Sequence, residues 1–309
     1  MGRYLAITGG VGGAKLALGL AHILPPEELA FVVNTGDDFE HLGLHIAPDI
    51  DTLTYTLADL SNKELGWGRA DESWNFMAAL ETLGGETWFQ LGDRDLALHI
   101  RRTQLLAAGE SLTEATAQIC HQLGLRHPVW PMSDQPVRTM VHTADGPLAF
   151  QHYFVRDRCQ PAVTGFEFAG IDQAALNPRL VDYLREPLDG IIICPSNPFV
   201  SVDPMLSIPG AKAALASNGA PIVAVSPIVG GTAIKGPTAK MMQELQVPSS
   251  AAQIAAHYGD LLTALVLDEQ DAELDGTLDT PTTVANTVMV TLQDRVDLGH
   301  AVLRYIAAL

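Results

Sequence analysis

The chain has 309 residues, 47% of them hydrophobic, which is enough to bury a sizeable core and sets general disorder aside. A formal net charge of −18 argues against the phosphate backbone of nucleic acid as a main partner. No secretory leader or membrane-length apolar run is visible, and Cys120, Cys159 and Cys194 are too scattered for a disulfide framework or a CxxC metal site, so the expected setting is the cytoplasm, with no membrane partner.

Residues 4–8 are a short apolar run of the size of a buried parallel strand. A glycine turn follows; Leu16, Leu20, Ile23 and Leu24 then recur at helical spacing until Pro25-Pro26 stops the helix. Residues 29–33 read as a second buried strand, completing a βαβ unit. From 52 to 83 the spacing predicts two helices separated by a loop around Gly66-Trp67-Gly68, with a further helix over 96–108. Ser111 suits the cap of a helix over 113–123. Segments 137–143 and 148–155 flank Ala144-Asp145-Gly146, and the Asp-Gly turn between alternating flanks predicts a β-hairpin. Strands are then expected at 190–194 and 221–225 around a helix near 209–217. A helix over 251–258, a strand at 262–267, a last strand at 287–292 and a terminal helix over 294–308 complete the chain. With no repeats and no low-complexity linker, the expectation is one α/β domain over 1–309, Rossmann-like and doubly wound. Its sheet is mainly parallel, with a helical insertion and a small β-hairpin subdomain at about 128–172.

Residues 8–15 read Thr-Gly-Gly-Val-Gly-Gly-Ala-Lys. A glycine turn between strand and helix lets backbone N–H groups approach phosphate oxygens, and Gly9, Gly10, Val11, Gly12, Gly13 and Lys15 are the candidates. The spacing matches neither GxxxxGK[ST] nor GxGxxG, because Lys15 stands where a third glycine belongs. The alternative is a tight turn that binds nothing.

Asn34-Thr35-Gly36-Asp37-Asp38 closes the second strand at the carboxyl edge of the sheet, where open α/β folds bind ligands. In Pro48-Asp49-Ile50-Asp51-Thr52, two acids separated by one residue project to the same side if the segment is extended. Asp37, Asp38, Asp49 and Asp51 together suit Mg2+, a hard cation that prefers oxygen. Alternatively Asp37 holds the ribose of a dinucleotide, and Asp51 is only a helix cap.

Further on, residues 88–95 read Trp-Phe-Gln-Leu-Gly-Asp-Arg-Asp. Arg94 there suits a bidentate grip on phosphate or carboxylate, or a simple pairing with Asp93 or Asp95, while His99 reads as a packed or capping side chain. Ser196-Asn197-Pro198 and Ser226-Pro227-Ile228-Val229-Gly230-Gly231 follow predicted strands. Polar loops at that edge can satisfy a base, a ribose or a phosphate, and ordinary turn chemistry is the competing account. Lys235 and Lys240 lie just downstream, in reach of a phosphate.

In order, GGVGGAK (9–15), NTGDD (34–38), PDIDT (48–52), GWGRADESW (66–74), LGDRD (91–95), PMSDQPVRT (131–139), PSNPFVS (195–201) and SPIVGGTAIKGPTAKMM (226–242) resemble the 2-phospho-L-lactate transferase family, CofD/FbiA type, over almost the whole chain. The resemblance implies a magnesium-dependent phosphotransferase of coenzyme F420 biosynthesis. Such an enzyme passes a phospho-hydroxyacid from a guanosine-diphosphate-linked donor to the ribityl hydroxyl of the deazaflavin Fo. GMP leaves, and F420-0 or an analogue forms. The acid is 2-phospho-L-lactate or an analogue such as phosphoenolpyruvate or 3-phosphoglycerate. Carried over, Gly9, Gly10, Gly12 and Gly13 cradle donor phosphates, and Asp37 and Asp51 serve the metal. Asp51 also lies by the ribityl chain and accepts its proton; Gln90, Gly92, Asp93 and Arg94 line the Fo side. Ser196, Asn197 and Pro198, with Ser226, Pro227, Ile228, Gly230 and Lys235, hold the guanosine part. The family pattern also suggests a homodimer. Two rivals stand beside it. A non-catalytic nucleotide-sugar-binding regulator of the same fold would lack LGDRD and PMSDQP, and an NAD-dependent oxidoreductase would need the complete GxGxxG.

Overall fold

The computed structural model describes residues 2–63, 67–234 and 236–309, so Gly66 and Lys235 lie outside the described residues. β1 (Tyr4–Thr8), α1 (Gly10–Ile23) and β2 (Leu29–Val33) form as their apolar spacing requires, and Pro25-Pro26 follow the end of the helix. An antiparallel hairpin, β3 (Phe39–His41) and β4 (Leu44–Ile46), turns through Leu42 and Gly43, both at positive φ. α2 (Pro48–Leu57) starts on a proline at its first position, where the missing N–H costs nothing. α3 (Asn75–Thr82), α4 (Asp93–Ala107) and α5 (Leu112–Gln122) make the helical insertion, and a Ser111–Glu114 capping box opens α5.

β5 (Val129–Pro131) pairs with β2. β6 (Arg138–Thr143), β7 (Gly146–Ala149) and β8 (Val163–Ala169) form a separate antiparallel sheet in the order β7-β6-β8. The expected second arm over 148–155 is shorter than the alternation suggested: it ends at Ala149, and His152–Arg156 is a π-helical turn. The remaining elements are α6 (Pro178–Leu184), β9 (Gly190–Ile193), α7 (Asp203–Leu206), α8 (Ala211–Ser217), β10 (Ile222–Val225), the small hairpin β11 (Ile228–Val229) with β12 (Thr232–Ala233), α9 (Thr238–Glu244), α10 (Ala251–Tyr258), β13 (Ala264–Asp268), β14 (Thr282–Ala285) and α11 (Leu292–Ile306).

The central sheet runs β14-β13-β10-β9-β1-β2-β5, every described pairing parallel. Its strands alternate between two cores. Leu5, Ile7, Ile191 and Ile193 face a layer with Leu180, Leu215 and Ile254. Ala6, Ile192 and Val223 face Leu16, Leu20, Leu53 and Val302. The fold is therefore a doubly wound α/β sheet, as the sequence predicted, with its switch point at β1 between β2 and β9. No described helix is long and apolar enough to cross a membrane.

One expected strand moves. Residues 287–292 do not join the sheet, and β14 lies at 282–285. Side chains capture the backbone donors a ladder would need: Thr287 N–H goes to Asp268 (2.9 Å), Val288 N–H to Asn286 (3.0 Å), and those of Val290 and Thr291 to Asp294 (3.0 and 2.6 Å).

Candidate functional site

The switch point places the glycine turn at the carboxyl edge of β1, against the loop that follows β9. Gly9 is the N-cap of α1 in extended conformation and offers no side-chain cap, so the helix end is left to other partners. Gly9 N–H donates to Ser196 Oγ (3.2 Å) and Gly10 N–H to Asp49 Oδ1 (2.8 Å). Three positions are tied to glycine by close approach, and a Cβ on Gly9 would stand 2.7 Å from Ser201 Cβ. A Cβ on Gly12 would stand 2.4 Å from the Pro195 carbonyl oxygen, and one on Gly13 would stand 2.3 Å from Thr8 Oγ1. The expected Gly9–Gly13 turn is thus built as an amide-lined helix start at the crevice, a geometry that favours anions. Lys15 is directed elsewhere: its ammonium donates to the Met289 carbonyl at 2.7 Å.

The four aspartates separate into different environments. Asp49 accepts from Gly10 N–H and from Asn34 Nδ2 (2.9 Å), while Asn34 Oδ1 accepts from Gly36 N–H (2.8 Å). Asp37 is buried beside it. Burial and the Asp49 charge push the Asp37 carboxyl well above the ordinary carboxylate range, and burial first raises Asp49 to about 6. Asp38 is buried with Oδ2 3.1 Å from His45 Nε2, and burial raises it too. Asp37 Oδ1, Asp38 Oδ1, Thr8 Oγ1, Thr35 Oγ1 and Thr139 Oγ1 are all buried without a hydrogen-bond partner. Each such oxygen costs about 1–3 kcal/mol if left so, and the set collects around one sheet edge. Hard oxygen donors with two mutually repelling carboxylates fit a divalent cation. No three His, Cys, Asp or Glu side chains among the described residues converge as a metal-holding group, so a cation held here would need part of its shell from water or ligand oxygens, as Mg2+ usually does.

Asp51 faces away from Asp49. The sequence reading placed the pair on an extended segment; residues 48–57 are helical instead, and two residues of helix turn a side chain by about 200°. Asp51 instead meets α4, where Arg102 grips it with Nη1 on Oδ2 (3.1 Å) and Nη2 on Oδ1. Nη1 also lies 3.4 Å from His99 Nδ1. His99 Nε2 stands 3.1 Å from Asp95 Oδ2, and Tyr55 O–H donates to Asp95 Oδ1 at 2.5 Å. Against its burial, His99 and Tyr55 hold Asp95 below the usual carboxylate range, whereas burial and the charges of Asp51 and Asp95 push the Tyr55 phenol up. Arg102 is 1% exposed and gave no sign in the sequence, being one basic residue on an amphipathic helix.

The LGDRD segment has structural roles. Asp93 accepts from Ser73 O–H (2.6 Å) and from the N–H groups of Asn75 and Phe76, closing the start of α3. Glu72 returns the service to α4 by accepting from Arg94 and Asp95 N–H, both at 2.8 Å. Arg94 itself is exposed, 4.0 Å from Asp71 rather than paired with Asp93 or Asp95. Trp67, Arg69, Trp74, Gln90 and Gly92 line a small pocket with Asp95 at its wall. Tyr55, which reaches Asp95, is six residues from Asp49 along α2, or about 9 Å of helix.

The two loops expected to hold a nucleoside spend most of their side-chain polarity internally. Asn197 Oδ1 caps Phe199 N–H (3.0 Å), opening the π-helical turn Pro198–Val202. Ser226 Oγ donates to Ile228 O and accepts from Ile228 N–H, with Pro227 between them. Gly230 N–H goes to Asp271 (3.1 Å), and Lys240 goes to Glu244 and the Pro161 carbonyl. Turn chemistry accounts for these groups; of the serines and asparagine, only Ser196 reaches the glycine turn.

A family model described as 2-phospho-L-lactate transferase CofD matches residues 5–304. A 2-phospho-L-lactate transferase of Methanosarcina mazei is 36% identical over 267 residues, covering 86% of this chain and 87% of that protein. A phosphoenolpyruvate transferase of Kitasatospora aureofaciens is 39% identical over 276 residues, covering 87% and 86%. A crystal structure of a UPF0052-family protein from Bacillus halodurans aligns with a TM-score of 0.63 at 14% identity, over 98% of this chain and 99% of that one, a likeness of fold alone.

Proposed function

The chain belongs to the 2-phospho-L-lactate transferase family, a family of transferases, and from that premise we propose that it moves a phospho-hydroxyacid from a guanosine-diphosphate-linked donor to the ribityl hydroxyl of the deazaflavin Fo, releasing GMP. The observation that carries the reading is the buried Asp37–Asp49 pair standing against the amide-lined start of α1. Two buried carboxylates, Asp37 raised by burial and by the Asp49 charge and Asp49 raised chiefly by burial, are poor neighbours for an anion unless a cation lies between. In this reading Asp37 and Asp49 would hold Mg2+, whose charge would offset that of the donor's diphosphate. The first-turn N–H groups of α1 beyond Gly10, whose own N–H goes to Asp49, bind the diphosphate, and Asn34 also donates to Asp49. The pocket of Trp67, Trp74, Arg69 and Gln90 takes the flat ring of the acceptor. Asp51, turned from Asp49 toward Arg102 and His99 of α4, is the group this reading assigns to accept the proton of the attacking hydroxyl, general-base help of about 10²–10⁴-fold. Attack in line with the departing GMP needs nothing further than this positioning and charge.

The test offers Fo, Mg2+ and, separately, the guanylated forms of phospholactate, phosphoenolpyruvate and phosphoglycerate, with the product weighed by mass spectrometry. One donor giving GMP and a deazaflavin heavier by the transferred acid is the expected result. No GMP from any donor would remove the proposal. Relatives bearing both the phospholactate and the phosphoenolpyruvate names make the comparison between donors the informative part.

A further inference from the structure

Resting on that reading, we infer that Arg102 is a positioning residue for the transfer, fixing the Asp51 carboxylate at the angle from which it meets the acceptor hydroxyl. Asp51 and Tyr55 stand one turn apart on α2; Asp95, His99 and Arg102 form the facing stripe on α4. The stripes meet through polar atoms, where apolar side chains of similar volume would commonly be at least as stable. An arginine only donates, so where Nη1 meets His99 Nδ1 at 3.4 Å the ring nitrogen accepts. His99 Nδ1 also stands 3.6 Å from Asp51 Oδ2, and Nε2 faces Asp95 Oδ2 at 3.1 Å outside hydrogen-bond geometry. Tyr55 O–H closes the far end on Asp95, a wall residue of the aromatic pocket. Nη1 also lies 3.4 Å from the His45 carbonyl, so the guanidinium plane is held by α2, α4 and β4 at once. A planar fork gripping both oxygens fixes the carboxylate plane as well as its charge. A carboxylate has about four lone-pair sites, so the clamp by itself uses only two of them. The chain of contacts thus runs from the pocket wall to Asp51 without crossing solvent.

Arg102→Lys keeps the charge and loses the fork. With the donor that the wild type uses, kcat is expected to fall by about 100-fold while the donor KM stays within about threefold. Fo affinity, read from its own fluorescence, should weaken less than kcat. The neutral pair Asp51→Asn with Arg102→Met separates positioning from mere support. It should melt close to the wild type yet stay as inactive as Asp51→Asn alone, whereas a supporting role predicts that stability and turnover return together. His99→Gln serves where Arg102→Lys does not fold; it should lower kcat by about 10-fold with the donor KM unchanged. Wild-type kcat in Arg102→Lys, or recovered turnover in the double variant, overturns the inference and leaves the function standing. A wild type that releases no GMP removes both.

Discussion

The first turn of α1 passes the loop after β9 so closely that a single methyl group should separate them. In Gly12→Ala the new Cβ would lie 2.4 Å from the Pro195 carbonyl oxygen, about 0.9 Å short of the roughly 3.3 Å at which carbon and carbonyl oxygen normally meet. Both sides of the contact are backbone, so no rotamer change relieves it. Overpacking of this kind costs about 1–3 kcal/mol, a fall of roughly 2–5 °C in Tm for a chain of this size. The gap opens at the crevice itself, and a misplacement of about 1 Å between reacting groups costs on the order of 100-fold in rate. Thermal melts followed by fluorescence, with GMP release under saturating donor and acceptor, read the two effects separately. Gly10→Ala is the contrast: nothing stands within 4 Å of its Cβ, and its cost is backbone strain at φ +66°, about 1 kcal/mol. A Gly12→Ala protein that melts and turns over like the wild type would refute the close packing of these two loops and the role given to it.

Three further outcomes are expected. Asp49 is raised to about 6 and Asp37 is raised well above its ordinary value, so both contribute stability that is complete below about pH 3.9 and lost as pH rises through the folded values; Mg2+ should therefore raise Tm more at pH 8 than at pH 5, and an equal rise at both would count against these carboxylates as its ligands. Glu72→Ala removes the cap on α4 and should cost about 1 kcal/mol. The reciprocal carboxyl, Asp93, is held at about 2 by Ser73, Phe76 and Asn75, so its contribution persists above about pH 4 and fades as pH falls through 2; chemical denaturation of both single variants and the double should show them non-additive. Gly19→Ala places a Cβ 2.1 Å from the Arg295 carbonyl oxygen of α11 and should destabilise by about 1–3 kcal/mol, while turnover per folded molecule stays unchanged, because residue 19 lies about 14 Å along α1 from Gly10.

The frame of the molecule was readable because its strands are buried on both faces. Tyr4–Thr8, Leu29–Val33, Gly190–Ile193 and Ile222–Val225 have no polar alternation to confuse, and proline or glycine bounds most of them. What escaped the reading was decided by contacts between distant residues. The three-residue β5 exists because β2 offers it an edge, and 287–292 is no strand because Asp268, Asn286 and Asp294 take its donors. In the site, the glycine turn and the burial of Asp37 and Asp49 follow from the chain itself, but the split between Asp49 and Asp51 turns on helix rather than strand geometry at 48–57. Arg102 was hidden for a related reason. Its partner lies 51 positions away, and local spacing carries no trace of that pairing.

β1 occupies the middle of the sheet, yet its two neighbours come from opposite ends of the synthesis order: β2 follows within thirty residues, whereas β9 pairs Tyr4 with Gly190. The glycine turn shares that history, since Gly9 leans on Ser196 and Lys15 on Met289. During translation the opening motif therefore waits, half supported, until the ribosome has delivered most of the chain, and closing so long a loop is slow. The glycine turn is consequently completed late in maturation, and a fragment stopping short of β9 would carry the glycine signature without the loop it packs against.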